Sequence, residues 1–435
     1  MKAKPRNNLA GILQGRLFKG WGVVAAAAVV YAVVIGSMVS FSNFIKPISE
    51  GMDWSRTSVT LAIGILVIIG GIFAVVMGYI CDRRGPRMVV LLGGISLGLG
   101  FYLTSRMDTL WQFYIFYGLL AGIAYACTFV PLTATVSRWF TNRRGLALGI
   151  LYAGGGIGGL ILSPLVSSWI ERYGWRDAWL ILAIIAWCTI IPLGTLLIRE
   201  PRDLELQPLN QDGLVASHVP QDGAVSQITT IGRGTAVRDY TVTEAVRTRF
   251  LWLLSLAAML TFTALLLAER NLVPYATDHG IAAATAATVL GVMAAFDAAG
   301  KLGIGLVSDK IGSRPSVLFC LLIATVMLFF LLVARQPWMF YAYAILCGFV
   351  SGGTLVLLPR IVAEKFGTRS MGAIMGVCAI FVSIGPAMGP VLGAMVYDRT
   401  GDYSPAIFVG GLAVALALGI LFVILPKKGS EAIPT

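Results

Sequence analysis

The stretch that decides the fold is GYICDRRGPR, residues 78–87, because a relaxed copy of it, GLVSDKIGSR, occupies residues 305–314. Each copy follows an apolar run and carries charges around a glycine, which is typical of a short turn between two helices. Asp82 and Asp309 lie 227 positions apart, and other pairs repeat at this offset within one residue: Gly122 with Gly348, Thr128 with Thr354, Phe140 with Phe366, and Arg143 with Arg369. The chain therefore contains two related halves.

The composition is that of an integral membrane protein. Of the 435 residues, 57% are hydrophobic and 12% are charged, and the mean hydropathy is +0.83. In soluble proteins about a quarter of all residues are charged. Apolar runs of about 20 residues, long enough to cross the hydrocarbon core as helices, occur twelve times. We expect an all-α membrane protein with 12 transmembrane helices.

The net charge of +12 does not indicate nucleic-acid binding. The basic residues form short clusters in alternate loops, whereas a nucleic-acid site would line one surface. Clusters of this kind follow the positive-inside rule, which predicts that both termini are cytoplasmic. The six cysteines lie in or beside apolar runs without metal-ligand spacing, so we expect neither a disulfide framework nor a metal site.

One long polar interval divides the chain. The stretch rich in Asp, Gln, Gly, Ser and Thr lacks apolar periodicity and predicts a linker. The predicted organisation is a cytoplasmic tail at 1–18, a six-helix bundle at 19–198, a cytoplasmic linker at 199–249, a second six-helix bundle at 250–425, and a tail at 426–435.

Two opposite charges lie inside the eighth apolar run. Asp297 and Lys301 precede Asp309 by 12 and 8 residues, which places them about 18 Å and about 12 Å up a helix from its cytoplasmic end. Their i,i+4 spacing puts both on one helix face. A charge at that depth costs several kcal/mol unless it has a partner or faces a cavity. The pair is either a structural ion pair or, as we favour, the functional site.

The seventh run carries a second polar set, Glu269, Arg270 and Asn271, just before Pro274. Glu269 lies 20 residues after Arg249, about 30 Å along a helix and thus near the outer face. Glu269 and Arg270 form either an interfacial anchor pair or an outer gate, and Asn271 is a candidate to face the cavity. Further candidates for hydrogen bonds to a substrate, each with the alternative of simple packing, are Tyr31, Tyr125, Thr128, Tyr152 and Ser383.

Two parallel six-helix repeats joined by a linker resemble the major facilitator superfamily. The turn signature supports this resemblance, with Gly78, Asp82, Arg83, Gly85 and Arg87 in one half and Gly305, Asp309, Lys310, Gly312 and Arg314 in the other. The resemblance implies two bundles around a central cavity. It also implies that an Asp at a helix end pairs with basic residues and so holds the two halves in one conformation. The gating residues expected on this basis are Asp82, Arg83, Arg87, Asp309, Lys310 and Arg314.

Further motifs narrow the resemblance to the monocarboxylate transporters and the related oxalate:formate antiporters. They are FKGWGVV at 18–24, RWFTNRRGLALGI at 138–150, YGWRDAW at 173–179 and NLVPYATDHGI at 271–281, together with Asp297 and Lys301. In that family the eighth helix carries a basic residue for the substrate carboxylate, and proton-coupled members place an Asp one turn earlier. The family's usual basic residue is Arg, which binds carboxylates in a bidentate manner, whereas this chain has Lys.

The resemblance and the charges predict a proton-coupled symporter of a small monocarboxylate that works by alternating access. Lys301 would bind the carboxylate and Asp297 the proton. The alternatives are a carboxylate exchanger of the oxalate:formate type and an efflux transporter of the same fold. We expect a monomer in the cell inner (plasma) membrane that uses the proton gradient and no cofactor. With only His218 and His279 and no nucleophile motif, we do not expect an enzyme.

Overall fold

The computed structural model describes residues 9–140, 143–197 and 239–425, nearly all of them helical. Residues 9–18 of the predicted N-terminal tail belong to the first helix, and residues 1–8 lie outside the described residues. Residues 199–238 of the predicted linker and the C-terminal tail, 426–435, also lie outside them.

The described residues of the first half form seven α-helices. They are α1 (Leu9–Ser40), α2 (Ser42–Met52), α3 (Arg56–Arg84), α4 (Pro86–Ser105), α5 (Leu110–Phe113), α6 (Gly122–Trp139) and α7 (Arg144–Thr195). A π-helical segment, Tyr114–Ala121, joins α5 to α6 and continues them into one membrane-length rod.

Residues 239–425 of the second half also form seven α-helices, of which the first is short. They are α8 (Val242–Val246), α9 (Arg249–Asp278), α10 (Ala283–Ile311), α11 (Ser313–Val333), α12 (Pro337–Phe366), α13 (Met371–Thr400) and α14 (Ser404–Ile424). Residues 239–248, at the end of the predicted linker, pack on this half, where the backbone N–H of Tyr240 donates to the carbonyl of Phe366 at 3.0 Å.

Within the described ranges, eleven helical stretches are long and apolar enough to span a membrane. One of them, α7, has 52 residues and contains a break at Gly174, whose φ of 86° and ψ of 164° suit glycine. Its two limbs run in opposite directions, since Arg144 lies by Phe140 and Gly194 by Val90 near the start of α4. The α7 helix thus crosses the membrane twice, and the crossings number twelve, as predicted.

The turns at Gly85, Gly312 and Gly367 lie at one end of the molecule, which we call the basic end. Near it, the halves meet along two helix pairs, α3 with α13 and α7 with α10. Glycines allow the backbones to approach closely there: Gly78 lies against Gly372, and Gly145 against Gly305. A side chain at any of these positions would meet backbone atoms of the other half.

Candidate functional site

The centre of the candidate site is an ion pair within α10. The ammonium Nζ of Lys301 lies 2.5 Å from Oδ2 of Asp297. The lysine side chain is 11% exposed, whereas the aspartate side chain is 32% exposed. The cation is therefore held inside the protein, while its carboxylate partner remains accessible.

Helix α10 is packed closely on both sides of this pair. Gly149 of α7, in the other half, lies against the backbone carbonyl of Lys301. Gly352 of α12, in the same half, lies against the backbone carbonyl of Asp297, and a Cβ there would be 3.1 Å from a carboxylate oxygen of Asp297. The glycines of α7 and α12 thus allow both helices to approach the backbone of α10 closely at the level of the pair.

Three predicted tyrosines of the first half cluster near the pair. The rings of Tyr31 and Tyr152 meet edge to face with centroids 5.5 Å apart. Tyr31 also interacts electrostatically with Tyr125 and with Asp297 of the other half. The Tyr152 hydroxyl is hydrogen-bonded to Thr133 Oγ1 at 2.7 Å. The structure therefore places Tyr31 within electrostatic range of Asp297, with the ring of Tyr152 against it.

The polar set of α9 divides into three environments. Glu269 is half-buried and interacts electrostatically with Arg270, Asp297 and Lys301. Arg270 is exposed. Asn271 is buried, donates to the carbonyl of Leu267 at 2.8 Å, and lies against α13. The structure adds to the sequence-based interpretation of Glu269 by placing it within electrostatic reach of the central pair.

The remaining two substrate-contact candidates lie on α6 and α13. Thr128 is buried and donates to the carbonyl of Ala124 at 2.8 Å, so its hydroxyl is bonded within α6. Ser383 of α13 packs against Gly71 of α3, on the other pair of helices that joins the halves. Its role as a substrate contact remains a prediction.

Asp82 binds the opposite half at the basic end. Its carboxylate accepts hydrogen bonds from the backbone N–H groups of Gly372 and Ala373 at 2.9 and 2.8 Å, and pairs with Arg138 of α6. Arg138 also donates to the carbonyl of Thr368 at 2.9 Å. A carboxylate at a helix N-terminus is stabilised by the free N–H groups and the helix dipole. Asp82 thus caps α13 of the other half.

Asp309 makes the reciprocal contact. It accepts from the backbone N–H groups of Gly145 and Leu146 at 2.9 and 3.0 Å and pairs with Arg360 of α12. The residue pairs that these two aspartates cap, 145 with 146 and 372 with 373, are themselves 227 positions apart. The internal duplication is therefore repeated in the contacts that close the basic end.

The other predicted gating residues lie around these two caps. Arg83 stacks over the ring of Tyr79 at 4.5 Å, and Arg87 and Lys310 are exposed. Arg314 donates to the carbonyl of Phe422 at 3.2 Å. The basic partners that pair with the capping aspartates thus come from α6 and α12.

Three residues of this arrangement are not among the functional candidates predicted from the sequence: Arg138, Arg360 and Glu364. Arg138 and Arg360 are 6% and 8% exposed, and Arg360 Nε donates to Glu364 at 2.7 Å. An arginine at the end of an apolar helix is costly without a partner. The sequence therefore indicates that both arginines need a partner. In the described parts of the chain, no group of three or more His, Cys, Asp or Glu residues is placed to hold a metal ion.

The chain is similar to known proteins over most of its length. The family model described as Major Facilitator Superfamily matches residues 27–296 and 271–435. The chain is 28% identical to monocarboxylate transporter 13 of Bos taurus over 418 residues, 96% of this chain and 91% of the relative. It is 26% identical to the oxalate:formate antiporter of Oxalobacter formigenes over 425 residues, 97% and 96% of the two chains.

A solved structure shares the fold. The crystal structure of the transporter FucP in the outward conformation superposes with a TM-score of 0.68 at 12% sequence identity, covering 93% of this chain and 99% of that one. At this identity the likeness concerns the fold alone.

Proposed function

The chain belongs to the major facilitator superfamily, and from that premise we propose that it carries a small monocarboxylate together with a proton by alternating access. The chain is a multi-pass membrane transporter related to the monocarboxylate transporters and the oxalate:formate antiporter. These relatives are transporters, which confirms that the chain is not an enzyme. The nature of the substrate and the coupling to protons are our proposal.

The observation that carries the proposal is the unequal exposure of the ion pair between Lys301 and Asp297. The carboxylate of Asp297, 2.5 Å away, stabilises the buried ammonium of Lys301, and loss of one partner of a buried pair is strongly destabilising. A substrate carboxylate is the natural replacement for that partner. The accessible position of Asp297 supports its role as the group that takes up a proton.

The proposed cycle follows from charge balance. In the empty site, Lys301 and the ionised Asp297 neutralise each other. Protonation of Asp297 releases Lys301, which then binds the substrate carboxylate, so the loaded site is again neutral. Because charged groups are costly in a sealed apolar setting, the two neutral forms are the ones that change orientation. The proton and the substrate therefore move together.

Rocking of the two halves about this site gives alternating access. The two aspartate caps join the halves at the basic end, and we propose that the state described here is closed on that side. We propose that the basic end faces the cytoplasm, that the transporter acts as a monomer in the cell inner (plasma) membrane, and that it needs no cofactor beyond the proton gradient.

The decisive experiment is uptake of radiolabelled small monocarboxylates into proteoliposomes, with and without an inward proton gradient. We expect the gradient to drive accumulation in the wild type. Lys301→Ala should abolish uptake, since the substrate loses its cation. Asp297→Asn should bind and exchange substrate but no longer respond to the gradient, because the asparagine cannot take up the proton.

Lys46→Ala is the matched control. Lys46 and Glu50 form another i,i+4 pair, on α2, but they lie 3.9 Å apart and are 71% and 64% exposed. Surface pairs of this kind contribute little, so uptake by this variant should equal that of the wild type. Normal proton-driven uptake by both Lys301→Ala and Asp297→Asn would show that the α10 pair is structural and would refute the proposal.

A further inference from the structure

A cavity of about 330 Å³ lies at the basic end of the second half, away from the central site. We call it the basic-end cavity. Its wall is formed by the start of α9, the turn between α10 and α11, the end of α12, and the residue after α14: Phe250, Ile311, Gly312, Ser313, Arg314, Pro315, Ile361, Glu364, Lys365 and Leu425. The proposed transport cycle makes no use of this space.

The charges on its wall favour an anion. Arg314 and Lys365 contribute two positive charges. The one carboxylate on the wall, that of Glu364, accepts hydrogen bonds from Ser313 and from Arg360, so the wall keeps an excess of positive charge. The guanidinium of Arg314 has five N–H donors, and the carbonyl of Phe422 accepts from one nitrogen at 3.2 Å.

The rest of the wall is apolar and continues into an exposed apolar surface. Phe250, Pro315, Ile361 and Leu425 line the cavity, and the Lys365 ammonium lies 5.4 Å from the centre of the Phe250 ring. Just outside, next to Arg314, Phe422 and Val423 are 58% and 81% exposed. On a helix that spans a bilayer, such a surface faces lipid chains. The cavity thus joins a cationic pocket to a lipid-facing surface.

We propose that the basic-end cavity binds the headgroup of an anionic phospholipid. Its phosphate lies between Arg314 and Lys365, and one acyl chain follows the exposed apolar face of α14 beside Phe422. A soluble phosphate compound would satisfy the two cations but would leave the adjoining apolar surface unused. Basic pockets between helix ends at the membrane surface suit acidic headgroups in this way.

The test uses the purified full-length protein in detergent, titrated with phosphatidylglycerol or with phosphatidylcholine. Lipid adducts are counted by native mass spectrometry, and the midpoint of thermal unfolding is followed in parallel. Phosphatidylglycerol should form a saturable adduct and raise the midpoint, whereas phosphatidylcholine should do neither at the same concentration. Lys365→Gln should weaken binding by about tenfold, the loss expected for one charge-assisted hydrogen bond.

Two further variants separate a specific site from general surface charge. Lys365→Arg keeps the cation and should restore binding. Arg249→Gln removes an exposed positive charge near the start of α9, outside the cavity wall, and should bind phosphatidylglycerol like the wild type. Both surface variants should fold normally, which single-species elution and their midpoint of thermal unfolding without added lipid will verify.

Three results would overturn the proposal: equal binding of the two lipids, equal loss of binding in Lys365→Gln and Arg249→Gln, or complete competition by soluble glycerol 3-phosphate at the concentration of the lipid. The last result would identify a soluble anion as the occupant. Because none of these measurements depends on substrate uptake, they stand apart from the test of the transport site.

Discussion

At the scale of single residues, the central site contains a second carboxyl group besides Asp297. Glu269, from α9, interacts electrostatically with both Asp297 and Lys301. In its ionised form Glu269 would repel any anion that approaches Lys301. We therefore expect Glu269 to influence how strongly the site attracts its substrate.

Glu269→Gln should bind the substrate more tightly while it keeps proton coupling. Removing a negative charge from the neighbourhood of a bound carboxylate relieves repulsion, and a few-fold to tenfold lower KM is expected, since about 1.4 kcal/mol corresponds to a factor of ten. Initial rates of uptake over a range of substrate concentrations, at two external pH values, measure both quantities.

Arg270→Gln removes a positive charge instead of a negative one and serves as the comparison. Arg270 is exposed, so solvent screens its charge and its removal should raise KM only slightly. A loss of proton-driven accumulation in Glu269→Gln, with Asp297→Asn still coupled, would exchange the roles assigned to the two carboxylates.

At the scale of secondary-structure elements, the contacts of α3 with α13 and of α7 with α10 depend on glycine. In α3, Gly78 lies against the backbone of Gly372, whereas Gly64, on the same helix, has open space where a Cβ would lie. A substitution at Gly78 acts only when the halves are closed at the basic end. It thus weakens one conformation selectively.

Gly78→Ala should shift the protein towards the state that is open at the basic end and reduce transport at least tenfold, because its methyl group would overlap backbone atoms that cannot move aside easily. Distances between spin labels at positions 88 and 311, both exposed at the basic end, report the opening. An unchanged distance distribution together with normal transport would contradict the close packing described above.

Gly64→Ala is the matched control on the same helix. The change from glycine to alanine favours a helix by about 1 kcal/mol in either position. With open space around Gly64, this variant should keep the wild-type distances and transport rate. Any shared effect of the two variants would therefore come from helix propensity and not from the contact between the halves.

At the scale of the whole molecule, the twelve crossings and the duplication follow from the sequence. Apolar length fixes the crossings, and the copies around Asp82 and Asp309 fix the repeat. The fixed rise of a helix also places Asp297 and Lys301 on one face at mid-membrane depth. These features depend on local geometry and on the cost of burying charge, which a sequence reports directly.

The partners of the charged residues depend on packing between distant segments, which the repeat describes incompletely. Arg138 lies two residues before Phe140, whereas Arg360 lies six residues before Phe366, the matching phenylalanine. The two arginines perform the same task from positions about one helical turn apart. The approach of Glu269 to the α10 pair is likewise set by how α9 and α10 meet, and the length of α9 alone does not reveal it.

The close contact between α7 and α10 also determines where the membrane voltage acts. Gly145 lies against Gly305, and Gly149 against Lys301, so the sealed layer between the site and the basic end is thin, about 12 Å for the eight residues from Lys301 to Asp309. An electric field concentrated there would exert about 2.3 kcal/mol per 100 mV on each net charge that crosses it.

The proposed cycle carries no net charge across this layer in either direction. Uptake at a fixed proton gradient should therefore be unchanged when a potassium gradient and valinomycin impose an electrical potential, and no current should accompany transport. A measurable current would require another charge to move with the substrate. Without one, accumulation depends on the pH difference alone, by about tenfold for each pH unit, whatever the electrical state of the membrane.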